Sequence, residues 1–249
     1  MTVRRIRRRR PPATARLRPF WLLLVALGGV AVALAYVVLR LPALRPRTIV
    51  VTGNAVVSRE AILARAEIDA QHNMWLQNVK AIAARVETIP YIADVEVHRR
   101  PPGTMILAVT ERVPFAVLTY GSDRVLVDRT LRVLGPAQAA SRLPVLAAAF
   151  SPDLAPGAFV ADPAIEALRD DEEALAAANV DASRLWHDKY GDLVVELRGG
   201  VRVLLGDERD AQKKIPLVNP ILQQVGRTGR GIATIDLRAP TTPVVVYRK

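Results

Sequence analysis

The chain contains no cysteine. That excludes a disulfide framework, thiol catalysis and cysteine-ligated zinc. Histidine is nearly absent too. Only His72, His98 and His187 occur in 249 residues, and their wide spacing argues against a sequence-local metal site or a histidine-based triad. None of the five serines stands in a G-x-S-x-G elbow. The glycine-rich run Gly226–Gly231 lacks the Lys-Ser/Thr ending of a phosphate-binding loop and reads as a flexible connection. Acidic residues are missing from residues 1–19, which hold eight arginines. The formal net charge of +11 therefore lies mostly in a tail, and the remaining 230 residues carry +3. That distribution speaks against a nucleic-acid-binding fold and for a topology-setting tail that touches anionic lipid.

Charge is also absent from Phe20 to Leu39. Twenty apolar residues at about 1.5 Å each span the roughly 30 Å of a bilayer core. Arg18 and Arg40 bracket the run, and Phe20, Trp21 and Tyr36 fall near its ends, where amphipathic rings prefer to sit. The arginines before it predict a cytoplasmic N-terminus, with everything after Leu39 outside the cytoplasm. Ala33-Leu34-Ala35 offers the competing reading of a signal-peptide cleavage site. Gly29 and Ala33 have the small-xxx-small spacing of helix-packing seams, a match that an alanine-rich segment produces by chance.

After a Pro/Arg-rich linker over residues 40–47, which is expected to lift the next domain off the bilayer, Ile49–Val51 reads as a short strand stopped by Gly53-Asn54. Ser58 is a helix N-cap, with Glu60 in the first turn. Val79, Ile82, Ala83 and Val86 make one apolar stripe of a second helix that Pro90 ends. Ala93, Val95 and Val97 alternate with Asp94, Glu96 and His98, which predicts a half-buried strand. Pro101-Pro102-Gly103 turns the chain into a strand with Met105, Leu107 and Val109 on one face. The order is β-α-α-β-β: two helices on one face of a three-stranded sheet.

Beyond Val113 the pattern predicts a mixed sheet with flanking helices. Phe115–Tyr120 and Arg124–Asp128 read as a hairpin. Asp162-Pro163 starts a helix that runs to about Ala178, with Asn179 just past its end. Asp170–Glu173 read as its solvated face, and Glu87 and Asp94 as surface charges. Leu193–Leu197 and Val201–Leu205 flank a Gly199-Gly200 turn. Ala211, Ile215, Val218, Leu222 and Val225 line one helix face that Pro216 and Pro220 interrupt, so a break or kink is expected there. Ile232–Asp236 and Val244–Tyr247 are the last strands.

Several stretches resemble a family. Ile49–Asn54 with Val57-Ser58 looks like the opening of a POTRA domain. Pro90–Met105 resembles its "P…V..A.V.R..P.T" segment, and Val109-Thr110-Glu111-Arg112-Val113-Pro114 its "V.ER.P" ending. Leu143–Leu146 resembles "LP.l", and Ile235-Asp236-Leu237-Arg238 the "iDLRyp" signature, with Ala239 where an aromatic is frequent. Arg129-Thr130-Leu131 stands where the family often has a glycine. With the anchor and basic tail, the chain resembles the FtsQ/DivIB family of bacterial cell-division proteins. The resemblance implies an α+β fold divided as tail 1–19, membrane helix 20–39, linker 40–47, POTRA domain 48–113 and β domain 114–249. It implies a non-catalytic, single-pass scaffold at the division septum with no cofactor, metal or small-molecule substrate. Its partners would be the FtsB (DivIC) and FtsL pair and the septal peptidoglycan synthase complex. A POTRA module of secretion or outer-membrane assembly, binding extended clients, is the alternative.

Strand addition is the mechanism that fits such a scaffold. The expected partner-binding residues are Val244, Val245, Val246 and Tyr247 on the final strand, with Tyr247 as aromatic anchor. Val245 and Tyr247 have a second reading as core residues. Arg238 either pairs with an acidic partner residue or caps its own neighbours. The POTRA edge strand Ile49, Val50, Val51 and Thr52 is expected to serve an upstream partner.

Overall fold

The computed structural model describes residues 18–149, 152–227, 230–239 and 241–248. Residues 1–17 of the basic tail lie outside them, as do Thr228 and Gly229 of the glycine-rich run. Helix α1, Arg18–Leu39, contains the uncharged run Phe20–Leu39, which is long and apolar enough to cross a membrane and has no residue buried.

The first globular unit has the predicted order. Strand β1 is Thr48–Thr52, α2 Arg59–Ala66, α3 Val79–Val86, β2 Ile92–Arg100 and β3 Thr104–Glu111. The sheet runs β1-β3-β2, with β1 parallel and β2 antiparallel to the central β3. Both helices start where a side chain satisfies the otherwise orphaned amides of the first turn. The Ser58 hydroxyl accepts from the Ala61 N–H at 3.2 Å, and the Asn78 amide oxygen accepts from Lys80 and Ala81. Met105, Leu107 and Val109 turn inward as their alternation requires, and Ile62, Met74, Ile82 and Val86 close the core above them. Ala93 departs from the expected alternation and is exposed. The register slips between Ile92 and Asp94, and a bulge of this kind gives the inward place to Ile92.

The linker also departs from expectation. Pro42–Leu44 is a 3-10 turn, Pro46 is buried, and Leu44 packs on the core of the first unit. The Met74 N–H donates to the Leu44 carbonyl at 2.9 Å, and the Asn73 side-chain amide donates to the Leu39 carbonyl at 2.7 Å. The linker therefore seats the unit against the helix end instead of lifting it away.

The second unit is a nine-stranded mixed sheet. Its elements are β4 Ala116–Tyr120, β5 Asp123–Val127, β6 Val133–Pro136, β7 Val145–Ala147, α4 Pro163–Ala177, β8 Ala182–His187, β9 Leu193–Leu197, β10 Arg202–Gly206, α5 Glu208–Gly226, β11 Ile232–Asp236 and β12 Val244–Tyr247. The strand order is β12-β11-β10-β9-β8-β7-β4-β5-β6. Helices α4 and α5 pack on each other and on the strands of one face. The Asp162 carboxylate accepts from the Ala164 N–H at 2.9 Å with Pro163 at the first helical position, and Asn179 follows the helix with φ 56°.

Helix α5 runs through Pro216 and Pro220 without the expected break. Each proline costs an i→i−4 bond, here to the carbonyls of Gln212 and Pro216. Those residues and both prolines are on the exposed side, where water can reach the freed carbonyls. On the other side Ala211, Ile215 and Val218 are fully buried against the sheet, and that burial holds the helix together.

Candidate functional site

Strand β12 ends the large sheet. It pairs antiparallel with β11 in the register Asp236↔Val244, Ile235↔Val245, Thr234↔Val246 and Ile232↔Tyr247. Among the described residues no strand pairs with its outer edge. In an antiparallel pair, adjacent residues alternate between pointing both backbone polar groups inward and pointing both outward. The outer edge of β12 thus presents a row of N–H and C=O groups to any extended chain that arrives. Val245 packs on the core beneath the helices, whereas Val244 and Val246 are 54% and 52% exposed. By alternation these two stand on the opposite, helix-free face. There the register places them beside Asp236 and Thr234, then Leu204 and Arg202. Further along that face Trp186 lies between the Arg184 and Arg202 guanidiniums, 5.6 and 6.0 Å from its ring. Tyr247 shares the side of Val245, with Arg230 over its ring at 5.4 Å.

Three residues hold this edge in place, and two of them carried no signal in the sequence. Arg248 donates to the Ile232 carbonyl at 3.0 Å and to the carbonyls of Gly199 and Gly200 at 2.9 and 3.0 Å. It locks the end of β12 to the β9–β10 turn. Lys214, buried on α5, donates to the Leu205 carbonyl at 2.7 Å and reaches the Arg238 carbonyl at 3.4 Å. Arg238 itself pairs with Asp236 at 2.6 Å and donates its backbone N–H to the same carboxylate. Within the chain its side chain and its backbone N–H are both engaged by that one neighbour. The Arg238 hydrogen bond holds the Asp236 carboxyl below the usual carboxylate range, with burial opposing it.

Strand β1, the second predicted site, is also an edge strand. Ile49 and Val51 pack inward and Val50 is exposed. One of its carbonyls is already taken: Arg59 donates to the Ile49 oxygen at 2.8 Å. The two charged residues that close β3 have separate tasks. Glu111 accepts from the Val56 and Val57 amides, each at 2.8 Å, clamping the turn after β1. In that turn Gly53 has φ 84° and lies so near the Val109 carbonyl that a Cβ would not fit. Arg112 reaches the second unit through Asp128 at 2.8 Å, with both side chains largely buried.

Only half of the acidic run on α4 is the expected solvated face: the Asp170 and Glu173 side chains are 53% and 42% exposed. Asp171 and Glu172 are buried, at 1% and 7% exposure. Glu172 follows Ile165 and Leu168 at the spacing of the apolar stripe that ends in Leu175, and that spacing was the signal to read. Its Oε2 has no hydrogen-bond partner among the described residues. Burial first, then the nearby Asp181 carboxylate, push the Glu172 carboxyl up to about 7, with Arg198 opposing. In the unfolded chain the group sits near 4.5. Between those values the folded protein keeps a proton that the unfolded chain releases, so this residue lowers stability as pH rises through the window. Replacing Glu172 with Gln is expected to stabilise the fold at about pH 8 by about 2.5 kcal/mol more than at about pH 5. Urea titrations of both proteins at the two pH values check this, and parallel pH profiles would refute it.

The model of the FtsQ-type POTRA domain matches residues 44–112. The cell division protein FtsQ of Mycolicibacterium smegmatis is 29% identical over 228 residues, covering 90% of this chain and 63% of that protein. The chain thus spans less than two thirds of that relative's length. The FtsQ protein of Mycobacteroides abscessus is 33% identical over 108 residues, covering 43% of this chain and 35% of that one. The major extracytoplasmic domain of the cell division protein DivIB from Geobacillus stearothermophilus aligns at a TM-score of 0.32 and 17% identity, over 47% of this chain and 97% of that one.

Proposed function

We propose, on the premise that this chain belongs to the FtsQ/DivIB family of bacterial cell-division proteins, that it is a membrane-anchored, non-catalytic scaffold of the division machinery. It holds its partners by strand addition on β12. The observation that carries this reading is the outer edge of β12, unpaired among the described residues, with Val244 and Val246 exposed beside it. The occupant is an extended segment of the FtsB (DivIC) and FtsL pair, and through that pair the chain connects early division proteins to the septal peptidoglycan synthase. Tyr247, with Arg230 on its ring, is the aromatic anchor at one end of the added strand. The β1 edge around Val50 serves an upstream partner. Helix α1 spans the cytoplasmic membrane once, with the arginine tail inside and both globular units outside.

An N-terminal fluorescent fusion in dividing cells of the native host tests the role. A midcell band that appears with constriction, and filamentation on depletion, is the expected result. Uniform envelope signal in cells that divide normally without the protein would overturn it.

A further inference from the structure

We propose that the α2–α3 loop is a membrane-contact surface, docking Trp75 and Leu76 into the lipid headgroup layer beside the outer end of α1. The inference rests on the reading of α1 as a membrane span. The end of α1 marks the level of the bilayer surface: Tyr36 is exposed with the Arg40 guanidinium 4.8 Å from its ring, the arrangement of an interfacial anchor. Asn73 then fixes the loop to that level through its 2.7 Å bond to the carbonyl of Leu39, the last residue of the helix. Leu76 lines the same cleft as Leu39, Arg40 and Arg45. A residue so close to the end of a spanning helix meets headgroups, not bulk water.

The exposure of this pair is built in. Trp75 is 50% and Leu76 63% exposed, adjacent in sequence, directly after the fully buried Met74. The loop around them is held on every side. Met74 is fully buried, and Arg99 donates to the Met74 and Gln77 carbonyls at 2.7 and 2.6 Å, one on each side of the pair. The Trp75 N–H donates to the Asn73 side chain at 2.9 Å. A fixed backbone that turns an indole and a leucine outward at this depth has the chemistry of an interfacial anchor, one end apolar and one end wet.

The surrounding charge suits lipid phosphates. Arg40 and Arg45 flank the cleft, and Arg99 lies 5.4 Å from the Trp75 ring. The nearest carboxylate on the loop, Asp69, is turned onto His72 at 2.6 Å and onto the Gln71 amide at 2.7 Å. Basic side chains at a leaflet surface attract anionic headgroups within a Debye length. With the linker folded down on Leu44, the contact sets the orientation of the first unit relative to the membrane, and so the height at which strand edges are presented.

The chain has three tryptophans, Trp21, Trp75 and Trp186, so two variants of the full chain in lipid vesicles test the contact. Trp75→Phe with Trp186→Phe leaves Trp21 as the reporter. Trp21→Phe with Trp186→Phe leaves Trp75. In vesicles whose lipids are brominated near the headgroup end of the chains, both reporters are expected to lose emission. In lipids brominated near the chain terminus, Trp75 keeps it. Quenching of Trp21 but not Trp75 would overturn the contact and leave the membrane span standing. Quenching of neither would overturn both. An Arg45→Glu change in the Trp75 reporter is expected to reduce the quenching, and unchanged quenching would remove the phosphate part of the contact.

Discussion

A proline at position 245 or 246 is expected to weaken the strand addition proposed for β12, and one of the two is expected to do so without loss of stability. Val245 and Val246 are adjacent on β12, opposite Ile235 and Thr234. Alternation makes one of them donate inward to β11 and the other outward. Proline at the inward position breaks the native ladder. At the outward position it removes only a donor that faces solvent, which edge strands tolerate. A partner strand would meet there a missing N–H, and its own carbonyl would be buried unpaired. That costs about 1–3 kcal/mol, or roughly five- to 150-fold in affinity. Binding of the FtsB–FtsL pair to Val245→Pro and Val246→Pro full-length chains in detergent, alongside their urea midpoints, reads both effects. A stable variant at each position with unchanged affinity would sink strand addition.

Replacing Arg112 with Ala is expected to destabilise the two globular units by about 3–5 kcal/mol, the usual cost of stranding a buried charge. The residue left behind is Asp128, 5% exposed. Burial works to raise the Asp128 carboxyl, but hydrogen bonds from the Thr130 hydroxyl, Arg112 and the Arg132 and Thr130 amides outweigh it, and the group lies below its ordinary range. A depressed carboxyl contributes its stability above the unfolded value and loses it as pH falls through the folded one. The deficit of Arg112→Ala is therefore expected to be full at neutral pH and to shrink in acid. Against a total of about 5–15 kcal/mol, a loss of this size is a large share. Arg112→Ala combined with Asp128→Ala is expected to recover part of it, because the uncompensated charge is gone. A single-variant loss below about 1 kcal/mol would place the pair among weak surface bridges. The same bond joins β3 to the end of β5, so we propose that the two units unfold together although the sequence pattern divides them near residue 113.

What could be read from the sequence was local. Ser58, Asn78 and Asp162 act within three residues of themselves, and the inward faces of β3 and α3 repeat at their own periods. What could not be read acts across long separations. Glu111 reaches amides 54 and 55 residues away, Arg248 carbonyls 48 and 49 away, and Asn73 a carbonyl 34 away. No composition or spacing announces such pairs. The family resemblance marked Glu111 and Arg112 as a motif without giving either a task. Ala93 was misread because a bulge changes the phase of a strand, and nothing in the alternation of its neighbours warns of it. A break in helix α5 was expected because proline cost was weighed alone. The buried side of that helix, Ala211 to Val218, decides the outcome. The final strand stands where the pattern put it, and alternation divides its side chains: Val245 faces the core while Val244 and Val246 face out.

Amide hydrogen exchange on the full-length chain in membrane vesicles, with and without the co-expressed FtsB–FtsL pair, tests the central claim most directly. Strand addition predicts that the outward amides among Val244–Tyr247 exchange freely alone and become protected on binding, with β1 and the β6 edge of the large sheet unchanged by that pair. Partner binding with no gain of protection along β12 would contradict the account.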